Sequence, residues 1–231
     1  MTADPLILVD DVHTATGLVL LSAARLDDEA VAAPSHLPGW TRGHVLTHFS
    51  RNADGAVNLL TWARTGVETP QYASLDQRAA DIEAGAGRPA AEQLADLRSS
   101  AERLEEAFEL MPAAAWLAEL RWANGRLGPA SLVVWYRLRE VQLHHVDLDV
   151  GFGPADWPES FAVRLAVDLA RSMGDRCRLV LRSPEVGHDL TFGAPGGPLV
   201  SGPVRTAVAW LSGRGDGAGL TGTLPEVPAF G

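Results

Sequence analysis

The stretches TRGHVLTHFSRNADGAVNLL, residues 41–60, and YRLREVQLHHVDL, residues 136–148, decide the interpretation of this chain. Both are helix-like. In the second stretch Glu140 and His144 are four residues apart, so on an α-helix they project from one face, one turn apart. His48 lies in the first stretch and would supply a third ligand from a second helix.

Two imidazoles and one carboxylate form a donor set that suits Zn²⁺ bound by three protein ligands. A fourth position is then left for water or substrate, and an open position implies chemistry. His and Glu are also common on solvated helix faces, and an E-x-x-x-H pattern alone is a weak signal. Spacing by itself therefore leaves both a metal site and a solvated helix face open.

The position of Glu140 adds information, because it flanks an apolar stripe that should face the interior of a bundle. A carboxylate there needs a cationic partner, since an unpaired buried charge is costly. A metal is one candidate and Arg137 is the other. Arg137 could instead point into the same cavity and bind a substrate carboxylate bidentately. His145 competes with His144 as a ligand, but it diverges from Glu140 by more than a quarter turn, so we choose His144.

Apolar periodicity and turn residues divide the first part of the chain into four helices. They are expected from about residue 5 to 32, from Thr41 as N-cap to the stop at Gly66, from Pro89 to Pro112, and from Gly128 and Pro129 to Gly151. Residues 67–88 form a long connection that could contain a short helix. Four helices of this length make a bundle.

The composition of the chain changes after Pro154. A helix is expected over Glu159–Met173, followed by two strands in CRLVLRS and HDLTFG, a loop with room for a third strand, and a last helix from Pro203 to Trp210. The expected fold class is therefore a multi-domain, mainly α protein. Its domains would be a four-helix bundle over residues 1–152 and a small α+β domain over residues 153–231.

Charge and cysteine content restrict the class of function. The chain has 29 acidic and 19 basic residues, a net charge of −10, which disfavours binding along a nucleic-acid backbone. Cys177 is the only cysteine, so no intrachain disulfide can form. The N-terminus fits no signal peptide, and the apolar stretches are too short to span a bilayer. We expect a cytoplasmic enzyme or binding protein with neither nucleic acid nor membrane as a partner.

Two motifs resemble a known family. HLPGWTRGHVLTHFSRNAD, residues 36–54, resembles the signature that opens the second helix of the mycothiol-dependent maleylpyruvate isomerase N-terminal domain, and RLREVQLHHVDLD, residues 137–149, resembles its fourth helix. This family belongs to the DinB-like metalloenzyme superfamily. The resemblance covers about the first 150 residues, and the remainder is similar to the family's smaller C-terminal domain in length and in its WLSGRGD ending.

The resemblance implies a DinB-like bundle that holds a divalent metal, usually zinc, on His48, Glu140 and His144. It also implies that Arg214 is a catalytic arginine and that mycothiol is the cofactor. The reaction would be the cis to trans isomerisation of maleylpyruvate to fumarylpyruvate, a step of aromatic degradation by the gentisate pathway. A thiolate adds to the conjugated double bond, the resulting single bond rotates, and the thiol leaves. Cys177 is not needed and is interpreted as a small hydrophobe.

Two other functions stay open at this stage. A mycothiol S-transferase of the same superfamily would keep the metal and the thiol but act on another electrophile. A non-catalytic module would bind a metal or a small ligand without turnover. For the enzyme, the expected partners are a small dicarboxylate and a low-molecular-weight thiol, and the candidate catalytic residues are Arg214 and Arg137.

Overall fold

The structure, a computed structural model, describes residues 5–174, 176–193 and 195–228. Within these residues the chain is mainly helical, with eight α-helices, two short 3-10 segments and two small sheets. Contacts along the chain separate it into two compact units, Met1–Val150 and Gly151–Gly231, called here the N-terminal and the C-terminal unit. The assignment of domains to residues 1–152 and 153–231 stays a prediction.

The N-terminal unit contains six of the helices. They are α1 (Pro5–Ala23), α2 (Asp28–Ala32), α3 (Arg42–Thr65), α4 (Leu75–Ala86), α5 (Ala90–Glu109) and α6 (Leu132–Asp147). The long helices pack in pairs, α1 and α3 each against both α5 and α6. Their facing sides are apolar and buried, with Val12, Val19, Leu46, Phe49, Leu97, Leu104, Leu138 and Val141 among the residues between them.

Helix α3 begins and ends where the sequence predicts. The side chain of Thr41 accepts a hydrogen bond from the backbone N–H of His44, and the His44 ring accepts one from the backbone N–H of Thr41, which forms a capping box. Gly66 ends the helix with φ of 73°, a left-handed conformation that glycine adopts without strain. These caps fix the two ends of the helix on which His48 lies.

The first predicted helix is wrong in its extent, because α1 ends at Ala23 and a separate helix, α2, follows. The side chain of Asp27 accepts a hydrogen bond from the backbone N–H of Ala30 at 2.8 Å and so starts α2 as an N-cap. The connection over residues 67–88 does contain a helix, α4, which Ser74 caps in the same way.

The predicted start of the fourth helix at Gly128 and Pro129 is also wrong. Both residues lie in a short strand, β2 (Leu127–Pro129), which pairs antiparallel with β1 (Glu119–Arg121). Pro129 stands opposite Glu119 at the end of the ladder, where its missing N–H costs nothing. Helix α6 begins only at Leu132.

The predicted elements of the C-terminal unit are confirmed, including the option of a third strand. The unit contains α7 (Glu159–Met173), β3 (Arg178–Arg182), β4 (Leu190–Phe192), β5 (Leu199–Pro203) and α8 (Val204–Leu211). The sheet order is β4-β3-β5, with β4 antiparallel and β5 parallel to β3. Helices α7 and α8 pack against each other.

Helix α1 tests the expectation that no apolar stretch of the chain is long enough to span a bilayer. By length and composition alone, Leu6–Ala23 is long and apolar enough to cross a bilayer, so the sequence-based statement that every apolar stretch is too short was wrong for this segment. One face of the helix, with Leu8, Val12 and Val19, is buried within the N-terminal unit. A core helix of a folded protein passes the same test of length and composition.

Replacing Gly43 by Ala should destabilise the N-terminal unit. A Cβ atom at Gly43 would overlap the backbone carbonyl oxygen of Ala86, where α3 and α4 approach each other closely. We expect a loss of about 1–3 kcal/mol in the free energy of unfolding, the cost of overpacking a core. The matched control is Gly17→Ala in α1, where an added Cβ meets nothing within 4 Å. It should stabilise the protein by about 0.5–1 kcal/mol. Urea unfolding of the full chain measures both, and equal stabilities would contradict the close approach.

Candidate metal centre

Three side chains from two helices converge in the N-terminal unit. His48 projects from α3, and Glu140 and His144 project from α6. The Glu140 Oε2 atom lies 3.0 Å from His48 Nε2 and 3.4 Å from His144 Nε2. The two imidazole rings are nearly perpendicular, with centroids 4.5 Å apart. The structure therefore brings together the three residues that the sequence analysis selected as metal ligands.

The two helices are held in this register by Arg42, the first residue of α3. Its Nε donates to the backbone carbonyl of Leu148 at 2.9 Å, and its Nη2 donates to the backbone carbonyl of Asp149 at 2.8 Å. Carbonyl groups at the end of a helix lack partners within the helix and carry partial negative charge, so a guanidinium satisfies them well. The start of α3 is thereby fixed against the end of α6, one turn beyond His144.

The three side chains differ in how far solvent reaches them. The side chain of His48 is 1% exposed, whereas those of Glu140 and His144 are 25% and 19% exposed. Trp40 packs edge-on against the His48 ring with centroids 5.8 Å apart, and Phe49 lies 6.3 Å from the His144 ring. The site is thus closed on the His48 side and open beside Glu140 and His144.

The electrostatics of the three groups suit a metal site. Burial lowers the pKa of His48 to about 4, so its ring is neutral near neutral pH. Burial acts to raise the pKa of Glu140, but hydrogen bonds from His144 and His48 hold it well below its ordinary value. Burial acts to lower the pKa of His144, yet hydrogen bonds to Asp147 and Glu140 raise it. A neutral imidazole and an ionised carboxylate are the forms that bind metal, and the shifts at His48 and Glu140 favour these forms.

The donor atoms also fit a metal in their spacing. One atom from each of the three residues can be chosen so that all three lie within 4.8 Å of one another. Bonds of about 2.0–2.2 Å to zinc place tetrahedral ligands about 3.4 Å apart. The observed separations from Glu140, 3.0 Å and 3.4 Å, are close to that value. Two nitrogens and one oxygen therefore lie close enough together to bind a single ion.

A comparison with known families identifies the chain. A family model described as the mycothiol maleylpyruvate isomerase N-terminal domain matches residues 12–149, more than half of the chain and a range that includes all three candidate ligands. The chain belongs to this family.

Solved structures of the isomerase resemble the chain over nearly its whole length. A crystal structure of the mycothiol-dependent maleylpyruvate isomerase is 30% identical, with a TM-score of 0.88 over 98% of this chain and 97% of that one. The crystal structure of a histidine-to-alanine mutant of the isomerase is 29% identical, with the same TM-score and coverage. A comparison with curated proteins finds no match.

One residue that sequence reasoning missed holds a ligand in place. Asp147 Oδ2 accepts a hydrogen bond from His144 Nδ1 at 2.8 Å, which turns His144 Nε2 towards Glu140. Metal-binding histidines commonly donate their second N–H to a carboxylate in this way. The signal was present in the sequence, since Asp147 follows His144 by three residues on the same helix face.

A second pair of missed residues lies on the other side of His48. Nη2 of Arg78, on α4, lies 3.0 Å from His48 Nδ1. The guanidinium carbon of Arg78 also lies 5.6 Å from the centroid of the Tyr72 ring. No spacing in the sequence indicates this contact, because 30 residues separate Arg78 from His48.

The candidate catalytic residue Arg137 makes its hydrogen bonds to helix α3 and not to the three candidate ligands. Arg137 is buried, and its Nη1 donates to the backbone carbonyl of Phe49 at 2.9 Å and to Asn52 Oδ1 at 2.7 Å. Burial lowers the pKa of Arg137 to about 10. Among the described residues no ion pair in direct contact joins Arg137 to Glu140, although the charge of Glu140 acts to raise the pKa of Arg137. The two alternatives for Arg137, a structural partner of Glu140 and a substrate-binding group, stay predictions.

His145 points away from the site, with its Nε2 2.9 Å from the Ser22 hydroxyl of α1. Arg214 lies in the C-terminal unit just after α8, where its Nη1 donates to the backbone carbonyl of Ser212 at 2.7 Å. Cys177 is fully buried in the same unit.

Removing any one candidate ligand should remove the metal. His48→Ala, Glu140→Gln and His144→Ala should each lower zinc affinity by at least about 100-fold, more than the loss typical for a residue that only orients a ligand. His44→Ala is the matched control, because His44 lies one turn before His48 but bonds to Thr41 and Glu83. Elemental analysis and competition with a zinc chelator measure the effect. Stoichiometric zinc in all three variants would place the site elsewhere.

Replacing Asp147 by Asn should weaken zinc binding without abolishing it. The amide keeps the shape of the side chain but loses the charge that favours a proton on His144 Nδ1, so we expect a zinc affinity about 10–100-fold lower. Asp149→Asn is a fitting control, since Asp149 pairs with Arg42 and His36 instead. Chelator competition on both proteins measures the difference, and equal affinities would show that Asp147 has no part in orienting His144.

Proposed function

We propose that this chain is a mycothiol-dependent isomerase that converts maleylpyruvate to fumarylpyruvate at a zinc site formed by His48, Glu140 and His144. One observation carries the proposal: a His, Glu, His donor set with one open side lies in a chain of this isomerase family. The two similar crystal structures are of the mycothiol-dependent enzyme, which supports both the reaction and the thiol.

The reaction needs a nucleophile that adds and leaves again. Mycothiol would supply that nucleophile: its thiolate would add to one carbon of the cis double bond, with the π electrons held meanwhile on the conjugated carbonyl oxygen, and would leave again once the resulting single bond has rotated. Neither oxidant nor reductant would be consumed. Zinc held by the three ligands would lower the pKa of a thiol, as coordination does for thiols in general.

The residues of the chain prepare this site. Asp147 fixes the His144 ring, so that its Nε2 faces the same space as Glu140 Oε2. His48, buried and neutral, closes the site on its inner side. Glu140 and His144 are partly exposed, so solvent reaches the site from their side. This one-sided opening favours an enzyme over a purely structural metal site, in which all four ligand positions are filled.

The nucleophile is not supplied by the protein. Cys177 is fully buried just before β3, and burial raises the pKa of its thiol. A thiol in such surroundings stays protonated and unreactive. The only cysteine of the chain is therefore packed as a small hydrophobe, and the reactive sulfur must come from a cofactor.

We assign the N-terminal unit to the DinB-like four-helix bundle and the C-terminal unit to a small α+β domain, at residues 1–152 and 153–231. The pairing of α1 and α3 with α5 and α6 supports the bundle. We also expect the protein to act in the cytoplasm on a dicarboxylate and a small thiol, without nucleic acid, given its net charge of −10.

Two arginines are proposed for catalysis. Arg214 matches the catalytic arginine that the family resemblance implies, and its guanidinium would hold a substrate carboxylate or the enolate oxygen. Arg137 stays a prediction, and its present bonds to Phe49 and Asn52 favour a role in holding α6 against α3. A guanidinium suits either task, because its fork of donors matches a carboxylate or a pair of carbonyl oxygens.

Turnover of maleylpyruvate should require both zinc and mycothiol, because neither the protein alone nor the thiol alone supplies an activated nucleophile. The loss of maleylpyruvate absorbance and the amount of free thiol are followed together, with and without a chelator. Free thiol should be unchanged at the end of an isomerisation. Consumption of thiol with another electrophile, and none with maleylpyruvate, would indicate an S-transferase, and no turnover with any thiol would indicate a non-catalytic module. Cys177→Ser is the matched control and should keep turnover within about 2-fold, since its sulfur takes no part.

A further inference from the structure

A cavity in the N-terminal unit lies apart from the candidate metal ligands. It is formed between α1 and α5, and its volume of about 350 Å³ is within the range of sites that bind small molecules. Within the described residues, the single lining side chain from outside these two helices is Arg137 of α6. None of the three candidate ligands lines the cavity, so it is not part of the metal centre.

The inner part of this cavity combines apolar walls with a buried cation. Its buried lining residues are mostly apolar side chains, such as Leu104 and Phe108, together with Thr16 and Arg137. Arg137 is 2% exposed, and its Nε atom has no hydrogen-bond partner among the described residues. No carboxylate of the described residues contacts the guanidinium directly, and burial lowers its pKa to about 10. A guanidinium with an unpaired N–H group therefore borders an apolar cavity.

These surroundings favour an anion that has an apolar body. The N–H donors of a guanidinium form a planar fork that matches the two oxygens of a carboxylate. Their attraction is screened much less in a protein interior than in water, and an anion would offset part of the cost of burying the cation. A hydrocarbon chain or ring attached to the carboxylate would gain free energy by leaving water for the apolar walls.

The rim of the cavity limits the ligand to one carboxylate. Asp10, Glu105 and Glu109 are exposed there, and Glu105 pairs with His13. Exposed charges are screened by salt beyond about 8 Å, which weakens their repulsion of an anion that binds further inside. A second carboxylate on the same ligand would lie either against the apolar walls or beside the acids of the rim, and both positions are unfavourable. A dicarboxylate is therefore a poor ligand for this cavity.

We propose that the cavity between α1 and α5 is a binding site for an apolar monocarboxylate, such as a medium-chain fatty acid or an aromatic acid. The carboxylate binds to Arg137, and the apolar body lies between the two helices. This inference goes beyond the proposed function, because the site needs neither the metal nor the thiol. On this assignment Arg137 serves a ligand other than the dicarboxylate substrate.

The experiment measures by calorimetry how three eight-carbon compounds bind to the full-length protein. The compounds are octanoate, octylamine, and suberate, which carries a carboxylate at each end. Arg137→Gln removes the charge but keeps an amide donor, and Val9→Phe fills the cavity from α1. Their matched controls are Arg25→Gln and Leu21→Phe, which change exposed residues near the other end of α1. Octanoate binding is also measured with His144→Ala, which lacks one candidate metal ligand.

Octanoate should bind the wild type at least about 10-fold more tightly than suberate or octylamine, the difference expected for one charge-assisted contact. Arg137→Gln should weaken octanoate binding at least about 10-fold for the same reason. Val9→Phe should weaken it to a similar extent, because the added ring occupies the space of the ligand. Both controls and His144→Ala should match the wild type.

Four results would overturn the proposal. Absence of octanoate binding at millimolar concentration would show that the cavity takes no such ligand, and octylamine binding as tight as that of octanoate would show that the acidic rim selects the ligand. Unchanged octanoate binding in Val9→Phe would place the ligand outside the cavity. Loss of binding in His144→Ala would place it at the metal centre.

The test does not depend on one variant or on catalysis. If Arg137→Gln fails to fold, Val9→Phe and the three compounds still decide whether an apolar monocarboxylate binds in the cavity. None of these measurements uses maleylpyruvate or mycothiol. Failure of the proposal would therefore leave the proposed function intact, and an inactive protein would leave the octanoate site open to the same test.

Discussion

A carboxylate set between two imidazoles, one buried and one half-buried, is the interaction on which the N-terminal unit depends. Glu140 faces the interior side of α6, where an ionised group is stable only with positive charge or donors around it. His48 and His144 provide those donors from two helices, at 3.0 Å and 3.4 Å. Any rotation or shift of α3 relative to α6 would leave the carboxylate without one of them. The packing of the two helices and the chemistry of the site are therefore set by the same contacts.

The surrounding structure limits such shifts. Thr41 and His44 fix the start of α3 by mutual capping, and Arg42 ties that start to the last carbonyl groups of α6. Gly43 allows α4 to approach α3 closely, which brings Arg78 within reach of His48. Each of these contacts lies within two turns of a candidate ligand. A rigid frame close to the ligands is what a site with preset geometry requires.

Much of the fold around the site could be predicted from signals that lie close together in the sequence. The caps at Thr41 and Gly66, and the helix over Glu159–Met173, follow from turn and periodicity signals within a few residues. Pro129 fits two kinds of position, because neither the end of a strand nor the first turn of a helix needs the N–H that proline lacks. The pairing of β1 with β2 that distinguishes them depends on a partner strand elsewhere in the chain. Arg78 could not be found for the same reason, since its contact exists only once α4 has folded back on α3.

Charge balance explains why arginines matter so much in a site of this kind. The carboxylates of Glu140 and Asp147 would together offset the two positive charges of a zinc ion bound at the proposed site, so such a centre would be close to neutral. A thiolate would make it negative, and a dicarboxylate substrate would then approach an anion in a protein whose net charge is −10. Surface charges are screened beyond about 8 Å at physiological salt, so the overall charge matters less than the groups within contact distance. Binding of a dicarboxylate there would therefore depend on cationic groups within contact distance of the ligands rather than on the charge of the whole protein.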